Sequence, residues 1–314
     1  MIAGSLLLRL RRRKMTARPA PPVTRYAVLM PPGRTRIFAK VYTQDAENEF
    51  ERGRVLFEAA QRTNHFFAPR PLTLVRAHQL IVWEYQDDLV ESRDYLVASL
   101  RSSMPKGERL RLFLSAGKAL ATIHSALGSL PNRGSYYPIR SVRAPSAELN
   151  RHVMNTLATT PLVSPHWDFA CGNLFLRAHA HNDPSLWVMD PMPNFYMMPE
   201  YFGATDFGSN VMSSPYVDAA QLLYSVRAHP RFSGWVADEH DGFLDAFLRG
   251  YREAGGLALD DAVVLACAAE ITLMYQDLLD RSSSRRALSD RLDRRARLWS
   301  AQRLFADATA RLRT

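Results

Sequence analysis

The stretch His166-Trp167-Asp168-Phe169-Ala170-Cys171-Gly172-Asn173 decides how this chain is read. It runs into the apolar segment Leu174-Phe175-Leu176 and, after one hairpin, into Leu186-Trp187-Val188-Met189-Asp190. An Asp and an Asn five residues apart thus sit in a polar loop, Ser164–Asn173, and a second Asp closes an apolar strand. A lone His-x-Asp is common, and an Asp-rich loop is usually a solvated turn. The rest of the chain must supply the missing weight.

Those residue types suit phosphoryl transfer. The reaction needs a carboxylate to orient an attacking hydroxyl and hard oxygen ligands for magnesium. Asp168 can accept the hydroxyl's proton, and Asn173 and Asp190 can supply the oxygens. Upstream, Ile37-Phe38-Ala39-Lys40-Val41-Tyr42 sets a lysine in a β-rich run. Only four lysines occur (Lys14, Lys40, Lys106 and Lys118) among 40 basic residues, so arginine is the default cation here. A strand lysine against that background points to a need for a compact ammonium. The plainer alternative is a stem covering the sheet while its head reaches water.

Working outward, Tyr26–Met30 and Arg36–Tyr42 read as strands around a Pro31-Pro32-Gly33 turn. Ala46–Arg62 has helical periodicity through Phe50, Leu56, Phe57 and Ala60. Pro69 and Pro71 interrupt it, and Leu72–Val75 and Gln79–Tyr85 read as two further strands. Helices are expected over Glu108–Leu127, Ser146–Ala158, Val217–Val226, Asp241–Ala254, Asp260–Leu279 and Arg286–Leu312. Leu174–Arg177 and Leu186–Met189 read as a strand pair. The layout is α+β: a small mixed lobe, a short connection near 84–90, and a larger helical lobe. We divide it into a basic tail (1–21), a small lobe (22–85) and a large lobe (86–314).

The loop resembles the catalytic loop of the aminoglycoside phosphotransferase family and its kinase-fold relatives, whose pattern is His-x-Asp-x-x-x-x-Asn. The resemblance spans roughly residues 25–250 and implies a two-lobed protein-kinase-like fold, with a small antiparallel-sheet N-lobe and a larger, mainly helical C-lobe. It implies Asp168 as catalytic base, Asn173 and Asp190 as magnesium ligands, and His166 as a brace of the loop. It further implies ATP or GTP as phosphate donor, with Lys40 on the phosphates and a helical glutamate holding Lys40. Asn48-Glu49-Phe50-Glu51-Arg52-Gly53-Arg54-Val55-Leu56 resembles the corresponding helix of sugar and lipopolysaccharide kinases. Glu49 stands two helical turns before Leu56 and shares its face, so Glu49 is the favoured partner and Glu51 the alternative. The nucleotide base is expected along the backbone of Trp83, Glu84 and Tyr85.

Two more segments fit. Ala119–His124 is similar to the family's helix ending in Leu-His, with His124 read as structural. Pro215–Leu223 is similar to its helix near Asp-Leu-Ala, with Asp218 read as a first-turn acid or cap. The phosphate-covering glycine loop is weak: only Pro31-Pro32-Gly33-Arg34 stands there, with Arg34 or Arg36 as candidate helpers. A nucleotide-binding scaffold acting through partners is therefore weighed beside the enzyme.

The totals bound the rest. The chain has 314 residues, 47% hydrophobic, ample for a core. Cys171 and Cys267 fit no paired metal spacing or disulfide framework, which suggests a reducing, cytoplasmic setting. The charge of +9 reads as arginine on solvated helix faces, and no aromatic–basic module for specific nucleic-acid binding occurs. Apolar Leu6–Leu10 precedes the positive run Arg11–Lys14, opposite to a secretory signal. The tail is expected to be unstructured, with weak membrane-surface contact as the alternative. No apolar stretch of about 20 residues suggests a membrane span. The acceptor is expected against Asn194–Ser214, where Phe195, Tyr196, Met197, Met198, Tyr201 and Phe202 offer an apolar wall and Glu200 and Asp206 little negative charge. That leans toward a neutral or anionic sugar or a glycolipid-like acceptor, with aminoglycosides less favoured.

Overall fold

The structure, a computed structural model, describes residues 25–29, 36–42, 46–101, 106–177, 186–190, 210–227, 240–282 and 288–313. The tail, the Pro31–Gly33 turn with Arg34, and the aromatic run within 194–209 lie outside the described residues.

Strands β1 (Arg25–Leu29), β2 (Ile37–Val41), β3 (Pro71–Val75) and β4 (Leu80–Glu84) form one antiparallel sheet in the order β1-β2-β4-β3. Helix α1 (Ala46–Thr63) packs on it. Its buried face holds Ala46, Glu49, Arg52, Gly53, Leu56, Ala59 and Ala60, a repeat of three and four. Phe50 and Phe57, expected on that face, are only half-buried. Two charged residues take their place inside, and both have partners across the molecule, as described below.

The large lobe is helical: α2 (Ser92–Arg101), α3 (Lys106–Leu127), α4 (Ala147–Thr159), α5 (Tyr216–Arg227), α6 (His240–Glu253), α7 (Asp261–Ser282) and α8 (Leu288–Leu312). Ser146 caps α4 by accepting from the Leu149 amide at 3.3 Å. Helices α3 and α6 touch backbone to backbone. A Cβ at Gly117 would lie 2.0 Å from the Phe247 carbonyl, and one at Gly250 would lie 2.0 Å from that of Leu114. The expected strand pair is present as β7 (Leu174–Arg177) and β8 (Trp187–Val188), and β5 (Leu89–Glu91) joins its edge in the order β5-β7-β8. Two short parallel strands, β6 (Asn132–Ser135) and β9 (Asn210–Met212), complete the architecture.

One sequence expectation is corrected. Asp261–Asp280 does have the length and hydropathy of a membrane span. Two-thirds of that window (67%) is buried against the protein, and Val263–Ala269 are fully enclosed, so α7 is a core helix of this fold.

Candidate active site

A cleft of about 490 Å³ opens between the small sheet and the β5-β7-β8 sheet. Lys40 on β2, Glu49 on α1 and Asp190 after β8 meet on one side of it. Lys40 Nζ lies 2.5 Å from Asp190 Oδ1 and 3.3 Å from Glu49 Oε1. Tyr42 donates its hydroxyl to the same Glu49 oxygen. Glu51 instead pairs with Arg54 on the exposed side of α1, so Glu49 is the residue brought to Lys40.

Burial sets the charges of this trio. Burial pulls the Lys40 ammonium down, but the carboxylates of Asp190 and Glu49 more than offset it and hold the ammonium above its ordinary value. Burial likewise works to raise Asp190, which Lys40 holds below the usual carboxylate range. Glu49 is the loser of the three: burial pushes its carboxyl up to about 8. The ammonium sits nearer Asp190 and cannot fully compensate both acids.

A pH dependence follows. Folded Glu49 keeps a proton that the unfolded chain releases above 4.5, so this group makes stability fall as pH rises from 4.5 to about 8. His166 works the other way, since burial lowers it from 6.5 to about 4 and stability rises across that window. The two oppose one another below 6.5, and Glu49 acts without His166 from 6.5 to about 8. In that upper window the nucleotide-free protein is expected to lose stability at up to roughly 1.4 kcal/mol per pH unit. Urea midpoints across the window check this: Glu49→Gln should flatten the slope, and an unchanged slope refutes the assignment.

The loop 164–173 faces the cleft from below. Asn173 Nδ2 donates to the Asp168 carbonyl at 2.9 Å and to its Oδ2 at 2.7 Å. The Met189 amide donates to the Asn173 carbonyl at 3.0 Å, which brings the end of β8, and so Asp190, beside Asn173. Asp190 takes φ +57°, a left-handed conformation that Asp tolerates. Trp167 takes φ +75°, a strained value for a bulky residue.

Helix α5 holds that strained loop. Asp218 accepts from the His166 amide at 2.6 Å, the Trp167 amide at 2.9 Å and His124 Nε2 at 2.9 Å. One turn on, Gln221 Nε2 donates to Asp168 Oδ1 at 2.9 Å. One turn further, Ser225 Oγ accepts from the Cys171 amide at 3.0 Å. One face of α5 therefore follows the loop from His166 to Cys171. Asp218 does stand in the first turn of α5, as expected, but its carboxylate is spent on the loop and not on capping the helix: a fully buried carboxylate needs donors, and it finds them there. Burial works to raise Asp218, and the hydrogen bond from His124 with the loop amides holds it below the ordinary range. His124 is structural, bridging Asp218 and the Tyr251 hydroxyl, 2.8 Å away. The bracing expected of His166 amounts to one long bond, from the Asp168 amide to Nδ1 at 3.4 Å. Its Nε2 has no hydrogen-bond partner among the described residues.

Trp83, Glu84 and Tyr85 line the cleft with Gln86, Asp88 and Leu89. The Glu84 amide is committed to the Arg70 carbonyl at 2.9 Å, which removes it from the set of groups open to a ligand. Arg36 is engaged by Asp87 at 2.7 Å and does not reach into the cleft lining. The indole of Trp83 lies on Gly53, where a Cβ would meet its ring at 2.3 Å. Alanine in mid-helix gains about 0.5–1 kcal/mol over glycine, whereas overpacking costs about 1–3 kcal/mol. The clash wins, so Gly53→Ala is expected to lower the unfolding midpoint, and a raised midpoint would contradict the packing described.

Sheet order, helical lobe and the cleft between them define the two-lobed protein-kinase-like fold. Among solved structures, the chain is similar to a choline/ethanolamine kinase family protein from Mesorhizobium loti, at 16% identity and TM-score 0.55 over 92% of this chain and 89% of that one. It is similar to an aminoglycoside phosphotransferase of uncertain assignment from Ralstonia eutropha, at 14% identity and TM-score 0.55 over 98% and 94%. A spectinomycin phosphotransferase in complex with ADP and spectinomycin matches at 13% identity and TM-score 0.50 over 96% and 92%. No family model matches the chain, and neither does any curated protein.

Proposed function

We propose that the protein transfers the γ-phosphate of a nucleoside triphosphate to a hydroxyl of a small molecule. The observation that carries this reading is the meeting of Lys40, Glu49 and Asp190 on one wall of a cleft whose floor carries Asn173 and, beside it, Asp168. The solved kinases of the same fold, one with ADP bound, support it.

The cleft fits magnesium. Asn173 spends its side-chain nitrogen on Asp168, which leaves its side-chain Oδ1 as an oxygen ligand, and 38% of the Asp190 side chain is exposed. Magnesium takes one or two protein oxygens together with substrate phosphates, and these two residues would hold it. When bound, the ion supplies positive charge against the phosphate oxygens. Lys40 binds and neutralises the phosphates, and Glu49 keeps its ammonium in place. Asp168 orients the attacking hydroxyl and accepts its proton. Positioning and electrostatics provide most of the acceleration. The base of the nucleotide lies against Trp83–Tyr85.

The acceptor is a neutral or anionic sugar or a glycolipid-like alcohol, as the scarcity of acidic residues in 194–214 suggests. The test is phosphate transfer from ATP and from GTP across sugars, aminoglycosides, amino alcohols and glycolipids, read by mass of the product. Transfer to one class, lost in Asp168→Asn, is the expected result. Nucleotide binding with no transfer to any of them would favour a scaffold instead.

A further inference from the structure

The Asp168 carboxylate is fastened at both oxygens. Oδ2 accepts from Asn173 in its own loop, and Oδ1 accepts from Gln221, which is 53 residues away on α5. We propose that Gln221 is a positioning residue for Asp168, fixing the plane of the carboxylate that receives the acceptor's proton. The proposal rests on the phosphotransferase reading above.

The terminal sp³–sp² rotation of an Asp is broad and has no strong staggered preference. One donor, on Oδ2, restrains that rotation only as far as a single hydrogen bond resists bending. A second donor on the opposite oxygen fixes the plane. The donor must also be rigid, and Gln221 is 1% exposed on a helix that is itself bound to the loop through Asp218 and Ser225.

Chemistry makes the orientation of the Gln221 amide unambiguous. Exchanging its nitrogen and oxygen would set a carbonyl oxygen against a carboxylate oxygen. Its own Oε1 is buried with no hydrogen-bond partner among the described residues. A buried amide with an unpaired oxygen packs less favourably than an apolar chain of the same length. What the amide offers at this position is its N–H on Asp168.

The experiment uses the full chain and Mg·ATP, with water as the acceptor and phosphate release as the readout. Gln221→Met keeps the length and removes the donor. Turnover at saturating nucleotide is expected to fall by about 10- to 100-fold. The KM for Mg·ATP should stay unchanged, and the thermal midpoint should stay within about 3 °C of wild type. Gln221→Glu, which sets a second carboxylate against Asp168, should lose at least as much. Turnover unchanged in both variants overturns the role of Gln221. So does a fall that comes with a matching rise in KM or a large drop in the midpoint, because that marks a structural residue. A wild type no faster than Asp168→Asn overturns the phosphotransferase reading and this inference together, whereas a wild type faster than Asp168→Asn leaves the first standing when the second fails.

Discussion

Asp168→Asn is expected to reduce phosphate transfer by at least about a thousandfold, with nucleotide affinity nearly unchanged. General base catalysis contributes roughly 10²- to 10⁴-fold, and an amide cannot take the proton. The substitution conserves shape but not hydrogen bonding. Asn173 and Gln221 present N–H donors to the two oxygens, so an amide nitrogen at either position faces another donor. Misorientation therefore adds to the lost basicity. The groups assigned to the nucleotide are Lys40, Glu49, Asp190 and the Trp83–Tyr85 segment, all of which the substitution leaves in place. Calorimetry with ATP and magnesium, beside a transfer assay, separates the two quantities. Equal rates in wild type and variant would remove Asp168 from the chemistry.

Asp218→Ala is expected to have the largest effect on stability, about 3–5 kcal/mol. Removing one partner from a buried charged network leaves the others without compensation. Here the His166 amide, the Trp167 amide and His124 would all lose their acceptor, at about 1–3 kcal/mol for each buried orphan. The total stays below a simple sum because the loop can relax. Relaxation has its own consequence, since Trp167 at φ +75° would be free to leave its strained conformation and carry Asp168 with it. Chemical denaturation and a turnover assay on the still-folded fraction should both register the loss. A change below 1 kcal/mol would mean that Asp218 does not hold the loop.

Much of this site is legible in the sequence because its parts carry local signatures. Asp168 and Asn173 are five residues apart in one loop, and Asp190 closes an apolar strand. Lys40 is conspicuous as a lysine in an arginine-rich chain. Glu49 is separable from Glu51 because helical spacing puts only one of them on the inner face with Leu56. The fold class follows from the order of strands and helices, and the main helices lie within a few residues of their expected bounds.

The parts that stayed hidden are non-local. Gln221 and Asp218 bond to a loop about 50 residues earlier, and no periodicity in α5 distinguishes a polar residue facing a loop from one facing solvent. A signal did exist: Asp218, Gln221 and Ser225 are three polar residues at one-turn intervals among Ala, Val, Leu and Tyr, a polar stripe on a helix whose one other charged residue is its last, Arg227. Strand β5 has three residues, too few for alternation to show. Strands β6, with four residues, and β9, with three, are little better, and Gly134 at φ +151° interrupts the first. Arg52 was indistinguishable from its exposed neighbour Arg54 by type alone, since burial of a charge depends on a partner supplied by another element.

That partner is the Pro165 carbonyl, the last backbone acceptor before His166, which receives the Arg52 guanidinium. Glu49 and Arg52 lie less than a turn apart on α1, one gripping Lys40 and the other the entry to the loop. Rolling the helix far enough to withdraw the first would drag the second off its seat. If the protein works as proposed, donor grip and base placement are thus geared to a single shaft.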